Sequence, residues 1–484
     1  WYDFYIFGSL ATIISTKFFP SDNPTAAFLS TLATFAAGFV VRPFGALFFG
    51  RLGDLIGRKY TFMVTLVLMG GATFLIVCIP SYETIGFLAP TLVLILRLLQ
   101  GLALGGEYGG AATYVAEHAG PGQRGYWTSW IQTTATIGLF VSLMVIMATK
   151  SAMSKEAFED WGWRVPFWVS ILMILVSYLI RKNMSESPEF AKVKAEGKTS
   201  KNPLKESFGN KLNFKFVLLA LFGIVMGQGV VWYTGQFYAM SFIEKVMGLS
   251  DQVGDIMMYA ILMATPFFVF FGWISDKIGR KWLMLAGILI AVIAYRPIYR
   301  AMYETTSIKN KTEIEAKTVV LAETKENKAK ALDSVYTTTK EFTDGATWKE
   351  VKTVTLENGV AKIGDDGKPK VEVKKTMVVN ESDKWTLVWL VFIQIFLVTV
   401  VYGPTAAFLV ELFPAKIRYT SMSLPYHIGN GIFGGLLPAV ATSLVAAATK
   451  ANDAATEAGQ AVAVAEPYLQ GLWYPIIIAS VCFV

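Results

Sequence analysis

Two cysteines and two histidines among 484 residues leave little material for a disulfide framework or a histidine-based metal centre. Both cysteines, Cys78 and Cys482, fall in apolar runs. Charge is scarce too. Asp, Glu, Lys and Arg make up 16% of the chain against 54% hydrophobic residues, which excludes an ordinary soluble globule. No Gly-x-x-x-x-Gly-Lys-[Ser/Thr] string is present to cradle phosphates, so ATP is not expected to drive the protein directly. No nucleophile stands with a base in a catalytic pattern, so neither an enzyme nor a cofactor is expected. The chain lacks an initiator Met, opens inside one apolar run and stops inside another. It is therefore expected to be trimmed at both ends, and no targeting segment is read from it.

What the sequence has in plenty is apolar length. Runs at roughly 1–20, 26–49, 61–80, 86–118, 126–148, 163–181, 214–243, 253–274, 282–303, 385–413, 420–448 and a short 472–484 number twelve, a polytopic membrane pattern. Lys and Arg gather in the even-numbered connections, from Arg51, Arg58 and Lys59 through Arg124, Lys277, Arg280 and Lys281 to Lys416 and Arg418. Positive charge marks the cytoplasmic side. These loops and both termini are thus expected in the cytoplasm, with the protein integral to a bacterial inner membrane. The net charge of +7 sits wholly in the membrane part, because residues 304–384 balance 15 Lys with 15 Asp and Glu. It reads as topology and lipid contact rather than nucleic-acid binding.

One run organises the others. Arg97-Leu-Leu-Gln-Gly-Leu-Ala-Leu-Gly-Gly-Glu-Tyr-Gly-Gly110 carries Arg97 and Glu107 well inside a span. An ionisable group there is costly unless paired or wet, so it reads as functional. Gly101, Gly105 and Gly109 recur every four residues, as do Gly106 and Gly110, giving bare ridges for close helix packing. Gln100 and Glu107 share one face, Arg97 and Tyr108 another. Glu107 and Asp3 are candidate proton carriers, since a carboxyl that exchanges a dry site for an Arg partner changes its proton affinity. The plainer reading is a permanent ion pair with Arg42 or Arg97. Arg97 is preferred to Arg42 as the anchor for a substrate carboxylate, through its planar guanidinium. Arg42, about two turns from a loop, could simply snorkel. Gln228, Trp232, Tyr233 and Gln236 in the seventh run, and Tyr426, His427 and Asn430 in the eleventh, either line a cavity or bond helix to helix.

An internal repeat sets the architecture. Gly50-Arg-Leu-Gly-Asp-Leu-Ile-Gly-Arg-Lys59 returns as Gly272-Trp-Ile-Ser-Asp-Lys-Ile-Gly-Arg-Lys281. Glu117 and Arg124, seven apart and followed by Thr128-Ser129, return as Glu411 and Arg418, seven apart and followed by Thr420-Ser421. Two six-helix halves related by duplication are expected to enclose a central cavity.

The Gly-x-x-x-Asp-x-x-Gly-Arg-Lys loop resembles the signature of the major facilitator superfamily. Tyr2-Asp-Phe-Tyr5, Arg42-Pro-Phe-Gly45, the Arg97–Gly109 string and Asp160-Trp-Gly-Trp-Arg164 resemble its metabolite:H+ symporter branch, which includes carriers of 2-oxoglutarate, citrate, shikimate and proline/betaine. The similarity covers nearly the whole chain except 304–384. It implies proton-coupled uptake by alternating access, with the proton as coupling ion. It also implies a cytoplasmic gate of Asp54, Arg58, Asp276 and Arg280, extended by Glu117, Arg124, Glu411 and Arg418. On exposed loops such pairs would be switches rather than stabilisers.

The expected fold is an all-α membrane protein of twelve helices in two six-helix bundles. The divisions are 1–182, a cytoplasmic linker at 183–213, helices 7–9 at 214–303, an extracytoplasmic insert at 304–384, and helices 10–12 at 385–484. In the insert, Glu357-Asn-Gly359 and Asp365-Asp-Gly367 are hairpin signals among alternating residues. Lys309–Ala331 reads as helical or extended, and a small separate unit is expected. The expected partners are the lipid bilayer and a small-molecule carboxylate bound by Arg97, Gln100, Tyr108, Trp232, Tyr233, Gln236, Tyr426 and Asn430, with the protein a monomer. A zwitterionic osmolyte carrier and a non-transporting receptor on the same scaffold are the alternatives.

Overall fold

A computed structural model describes residues 1–19, 24–326, 332–357, 360–363 and 371–483. The first half contains α1 (Tyr2–Ser9), α2 (Ala11–Phe18), α3 (Pro24–Leu55), α4 (Arg58–Cys78), the short α5 (Tyr82–Ile85), α6 (Leu88–His118), α7 (Arg124–Ser151), α8 (Lys155–Asp160) and α9 (Val165–Asn183). A connecting α10 (Pro188–Ala195) leads to the second half. There α11 (Lys211–Val246), α12 (Val253–Ile278), α13 (Arg280–Thr305), α14 (Glu381–Leu412) and α15 (Arg418–Glu457) precede α16 (Trp473–Val481). Among the described residues, nine helices are long and apolar enough to cross a membrane. The remaining apolar runs are the α1–α2 pair, α3 and α16.

The repeated motif makes the same turn twice. Gly57 (φ 126°) joins α3 to α4, and Gly279 (φ 89°) joins α12 to α13. Only glycine adopts that backbone cheaply, so the motif's second Gly is where one helix stops and the next starts. Within the first half α6 lies directly on α3, and a Cβ at Gly101 or Gly105 would strike the carbonyls of Gly38 and Arg42. Between the halves the packing is reciprocal: α3 lies on α15, and α7 on α12. The turns of α11 widen at Leu221–Val225, Thr234–Tyr238 and Phe242–Val246, and those of α15 at Gly429–Gly434. Such π-type turns redirect side chains and recur at functional positions.

Between α13 and α14 the described residues build an antiparallel sheet. β1 (Val319–Glu326), β2 (Leu332–Glu341) and β3 (Thr347–Glu357) pair in order, and β3 also pairs with β4 (Val360–Ala361) and β5 (Val371–Val378). Within Lys309–Ala331 the described part is strand over Val319–Glu326, preceded by short helical turns at Ile308–Asn310 and Glu315–Lys317. Glu357 pairs with Val360, but Asn358 and Gly359, and the whole Asp365–Gly367 signal, lie outside the described residues. The sheet is not a detached unit. Phe342, Ala346, Met377 and Val379 join the apolar core of the second half, because the inner side of β5 rests on the ends of α11 and α12. The Met377 N–H donates to the Gly248 carbonyl at 2.8 Å, and Gln252 exchanges two hydrogen bonds with the Val379 backbone.

Lys311 pairs with Asp344 inside the insert at 2.5 Å and ties the insert to Asp383 of α14 at 2.6 Å. Burial works against its ammonium, but the two carboxylates more than offset that and hold its pKa above the ordinary value. Burial likewise opposes the Asp344 carboxylate, yet Lys311 and the Ala346 N–H hold its pKa below the usual range. The Lys311–Asp344 pair therefore contributes at neutral pH and is lost as pH falls through Asp344's depressed value. Replacing Ser307–Val378 by a Gly/Ser linker leaves the Asn380 cap of α14 in place. We expect the shortened protein to fold and to melt several degrees lower, read by thermal denaturation. Failure to fold would make the sheet part of the scaffold.

Candidate functional site

Two structures matter here: a cavity between the halves and a closure beneath it, on the face bearing the repeated motif. The closure is built from helix ends. The first N–H groups of a helix have no intrahelical acceptor and carry partial positive charge. Asp54, at the end of α3, accepts from the Tyr419 and Thr420 N–H groups of α15 at 3.3 and 2.9 Å. Asp276, at the end of α12, accepts from Gly125 and Tyr126 of α7 at 2.8 Å each. Each half thus caps a helix of the other, as the duplication requires.

Arginines tie these caps together. Arg58 lies 3.0 Å from Asp54 and 3.4 Å from Glu117, and donates to the Ala415 carbonyl at 2.6 Å. Arg418 reaches Glu117 at 2.7 Å and Glu189 at 2.6 Å, and Glu189 also pairs with Arg124. Arg280 lies 2.9 Å from Asp276 and grips Glu411 with two bonds of 2.6 and 2.7 Å. All eight residues named from the sequence meet on this face. Glu411 at the edge stays open to solvent, but the central pair is not exposed as expected: Asp54 and Arg58 are 0% exposed. The helices of the two halves close over them, so breaking one leaves a buried charge without its partner.

The connecting segment takes part, which the sequence reading missed. Glu186 accepts from the Arg58 N–H at 3.1 Å, and Ser187 donates to Glu117. Ser187-Pro-Glu189 is a helix-start pattern, a hydroxyl cap followed by proline, and that signal was available. Glu206 pairs with Lys416 at 2.7 Å. Hydrogen bonds from Lys416 and Ser200 hold its carboxyl below the ordinary range.

The cavity above measures about 40 Å³. It is room for a few waters, so in this conformation the walls are drawn together. Ten of its fifteen lining residues are aromatic, among them Tyr108, Trp232, Tyr233 and Tyr426 from the sequence expectation. Tyr108 of α6 stacks on Tyr426 of α15 with ring centres 3.6 Å apart, and the Tyr426 and Tyr402 hydroxyls are 2.5 Å apart. Asn430 also lines it, while exchanging two amide hydrogen bonds with Gln228 across α11 and α15. Gln236 is not among the lining residues.

The two arginines exchange positions relative to the sequence preference. Arg42 lines the cavity, its guanidinium 4.0 Å from the Phe39 ring centre and 4.8 Å from that of Phe4. Its Nε and Nη2 are buried without hydrogen-bond partners among the described residues. Arg97 lies behind the wall, bonded to Gln100 at 2.5 Å, and Gln100 donates to Thr73 at 2.6 Å. The cause is helix length. α3 runs on to Leu55, so Arg42 stands about 20 Å from its end, too deep to snorkel. Asp3 is in the first turn of α1 with one buried oxygen unpartnered, beside Ser170. Glu107 pairs with Arg181 at 2.6 Å, a partner not weighed from the sequence, and does not line the cavity. His427 does, with Nε2 buried and unpartnered.

Among the described lining residues, the site sets the Arg42 guanidinium in a box of aromatic rings between the halves. The sugar (and other) transporter family profile matches residues 1–214 and 177–321. The citrate-proton symporter of Klebsiella pneumoniae is 29% identical over 448 residues, which is 92% of this chain and 82% of that one. The alpha-ketoglutarate permease of Escherichia coli (strain K12) is 35% identical over 63% of this chain and 70% of its own length. The proline/betaine transporter of the same strain is 33% identical over 61% and 60%. Among solved structures, the major facilitator superfamily proton:xylose symporter XylE superimposes with a TM-score of 0.58 at 15% identity, covering 99% of this chain and 91% of that one. A double-Trp variant of XylE gives 0.62.

Proposed function

The chain belongs to the sugar (and other) transporter family, a family of membrane carriers and not of enzymes, and from that membership we propose that it takes up a small organic acid together with protons by alternating access. The observation that carries this reading is the Arg42 guanidinium, buried and unpartnered in a cavity between halves that are latched shut beneath it. A two-pronged donor buried among aromatic rings is complementary to a carboxylate. The names of the citrate-proton symporter and the alpha-ketoglutarate permease support the substrate class. In this reading the protein is a monomer of twelve spans in a bacterial inner membrane. The motif face and both termini are cytoplasmic, and the sheet lies outside.

A second reading has one specific observation in its favour. The aromatic box around Arg42 suits a zwitterion, with its carboxylate on the guanidinium and its ammonium against the rings. A thermal-shift screen of purified protein against organic acids and osmolytes separates the two, since a ligand of the folded state raises the melting temperature. Stabilisation by 2-oxoglutarate or citrate supports the first, by glycine betaine or proline alone the second. Stabilisation by none of them would overturn both.

Asp3 and Glu107 remain the proposed proton carriers, Asp3 being the less encumbered of the two. Asp3→Asn and Glu107→Gln are each expected to abolish uphill uptake driven by an imposed pH gradient while substrate exchange persists. A variant that keeps its full response to the gradient is thereby removed from the mechanism.

A further inference from the structure

We propose that Arg42 and His427 form a single site for the substrate carboxylate, in which His427 takes up a proton as the anion arrives. This rests on the transport reading above and adds the device that ties the two loads together. Both residues are deeply buried, at 7% and 3% exposure, and they line the same cavity from opposite halves, Arg42 on α3 and His427 on α15. Nε and Nη2 of Arg42 and Nε2 of His427 are all buried without a partner among the described residues. Buried polar groups are almost always satisfied, so three orphans around one cavity point to a ligand that completes them.

The donor inventory says what kind. A guanidinium only donates and a carboxylate only accepts. The Gly105 backbone lies beside the imidazole, and with the neutral ring's hydrogen on Nδ1, turned to that backbone, Nε2 is a bare acceptor. Nε2 can donate to a carboxylate only once protonated. The titratable groups that line the cavity with His427 are Arg42 from α3, Tyr5 from α1, Tyr108 from α6, Tyr233 from α11, Tyr402 from α14 and Tyr426 from its own helix. No Asp or Glu lines the cavity among the described residues. A second positive charge beside Arg42 is unfavourable in a buried, aromatic-walled space, and an arriving carboxylate removes that penalty. The proton comes from water on the open side and rests on Nε2; no covalent bond between heavy atoms changes. One negative and one positive charge then enter together, and the filled site bridges both halves.

The chain has two histidines, which makes the test direct. In ¹⁵N-histidine-labelled protein carrying His118→Asn, one imidazole signal remains, and it reports the charge of His427. Without ligand, from about pH 7.5 to about pH 5.5, the ring is expected to stay neutral, and to protonate within that range once Arg42→Gln is added. An Arg42→Gln ring that behaves like the wild type would overturn the proposal. In the second arm citrate, 2-oxoglutarate, shikimate, proline and glycine betaine are added singly at neutral pH. Any that raises the melting temperature should convert the ring to imidazolium, and a bound probe that leaves it neutral would also overturn the proposal. For that probe, affinity should rise by up to about tenfold per unit fall in pH in the wild type. It should be independent of pH in His427→Gln, whose folding is checked by its own melt. If none of the five binds, the transport reading loses its substrate class, while the Arg42→Gln arm still judges the pair.

Discussion

Arg42→Gln is expected to weaken substrate binding about a hundredfold without unfolding the protein. The guanidinium lies in the cavity with two nitrogens unpartnered, so its removal leaves no protein group stranded. What is lost is a two-pronged, charge-assisted contact with the substrate, at about 1.5–3 kcal/mol per bond and about 3 kcal/mol in all. Arg42→Lys keeps the charge and loses the fork, and should fall between the two. Arg97→Gln should do the opposite. Arg97 is held by Gln100, which is held by Thr73, and its charge sits over the Phe4 and Phe7 rings. Its loss should lower the melting temperature more than the affinity. Binding isotherms beside thermal melts of the three variants decide the matter. Intact binding in Arg42→Gln with none in a folded Arg97→Gln would return the anchor to Arg97.

Asp54→Asn and Asp276→Asn are expected to open the motif face. Each carboxylate accepts two N–H groups from a helix start in the opposite half and is paired with an arginine four residues on. An amide keeps the shape but loses the charge that both the helix end and the arginine favour. The pairs are buried, so solvent does not screen the loss. A cost of about 2 kcal/mol would shift the closed-to-open ratio roughly 30-fold. Ser129 of α7 packs against Gly272 of α12 in the closed seam. A cysteine placed there, after Cys78 and Cys482 are removed, should react far faster with a polar maleimide in either variant. Equal labelling in all three proteins would reduce the two Asp residues to markers of topology.

The gate was legible in the sequence because a short local string determines it. Gly57 and Gly279 must turn, and the Asp three residues before each then stands at a helix end. Duplication in the sequence announced reciprocity in space. The cavity was legible only in part. Tyr108, Trp232, Tyr233, Tyr426 and Asn430 follow from polar and aromatic clusters beside glycines. Whether Arg42 or Arg97 faces the cavity depends on where α3 ends and on how α6 rotates against it, which no local pattern fixes. Glu107 pairs with Arg181 across a sequence separation of 74 residues, and such a partner is visible only once α6 and α9 are packed. The insert shows the same limit. Alternation marked its strands, but the shared core with the second half arises from Met377 and Val379 meeting the ends of α11 and α12.

In the transport reading the proton gradient drives a small organic acid through this cavity. This is tested most directly by uptake into proteoliposomes. The substrate is the acid that most raises the melting temperature, present at equal concentration on both sides, and an inside-alkaline pH gradient is then imposed. The expected result is accumulation inside well above the outside concentration, collapsing when a protonophore is added and absent in Arg42→Gln. Equilibration to equal concentrations regardless of the gradient, in wild-type protein that binds the acid, would contradict it.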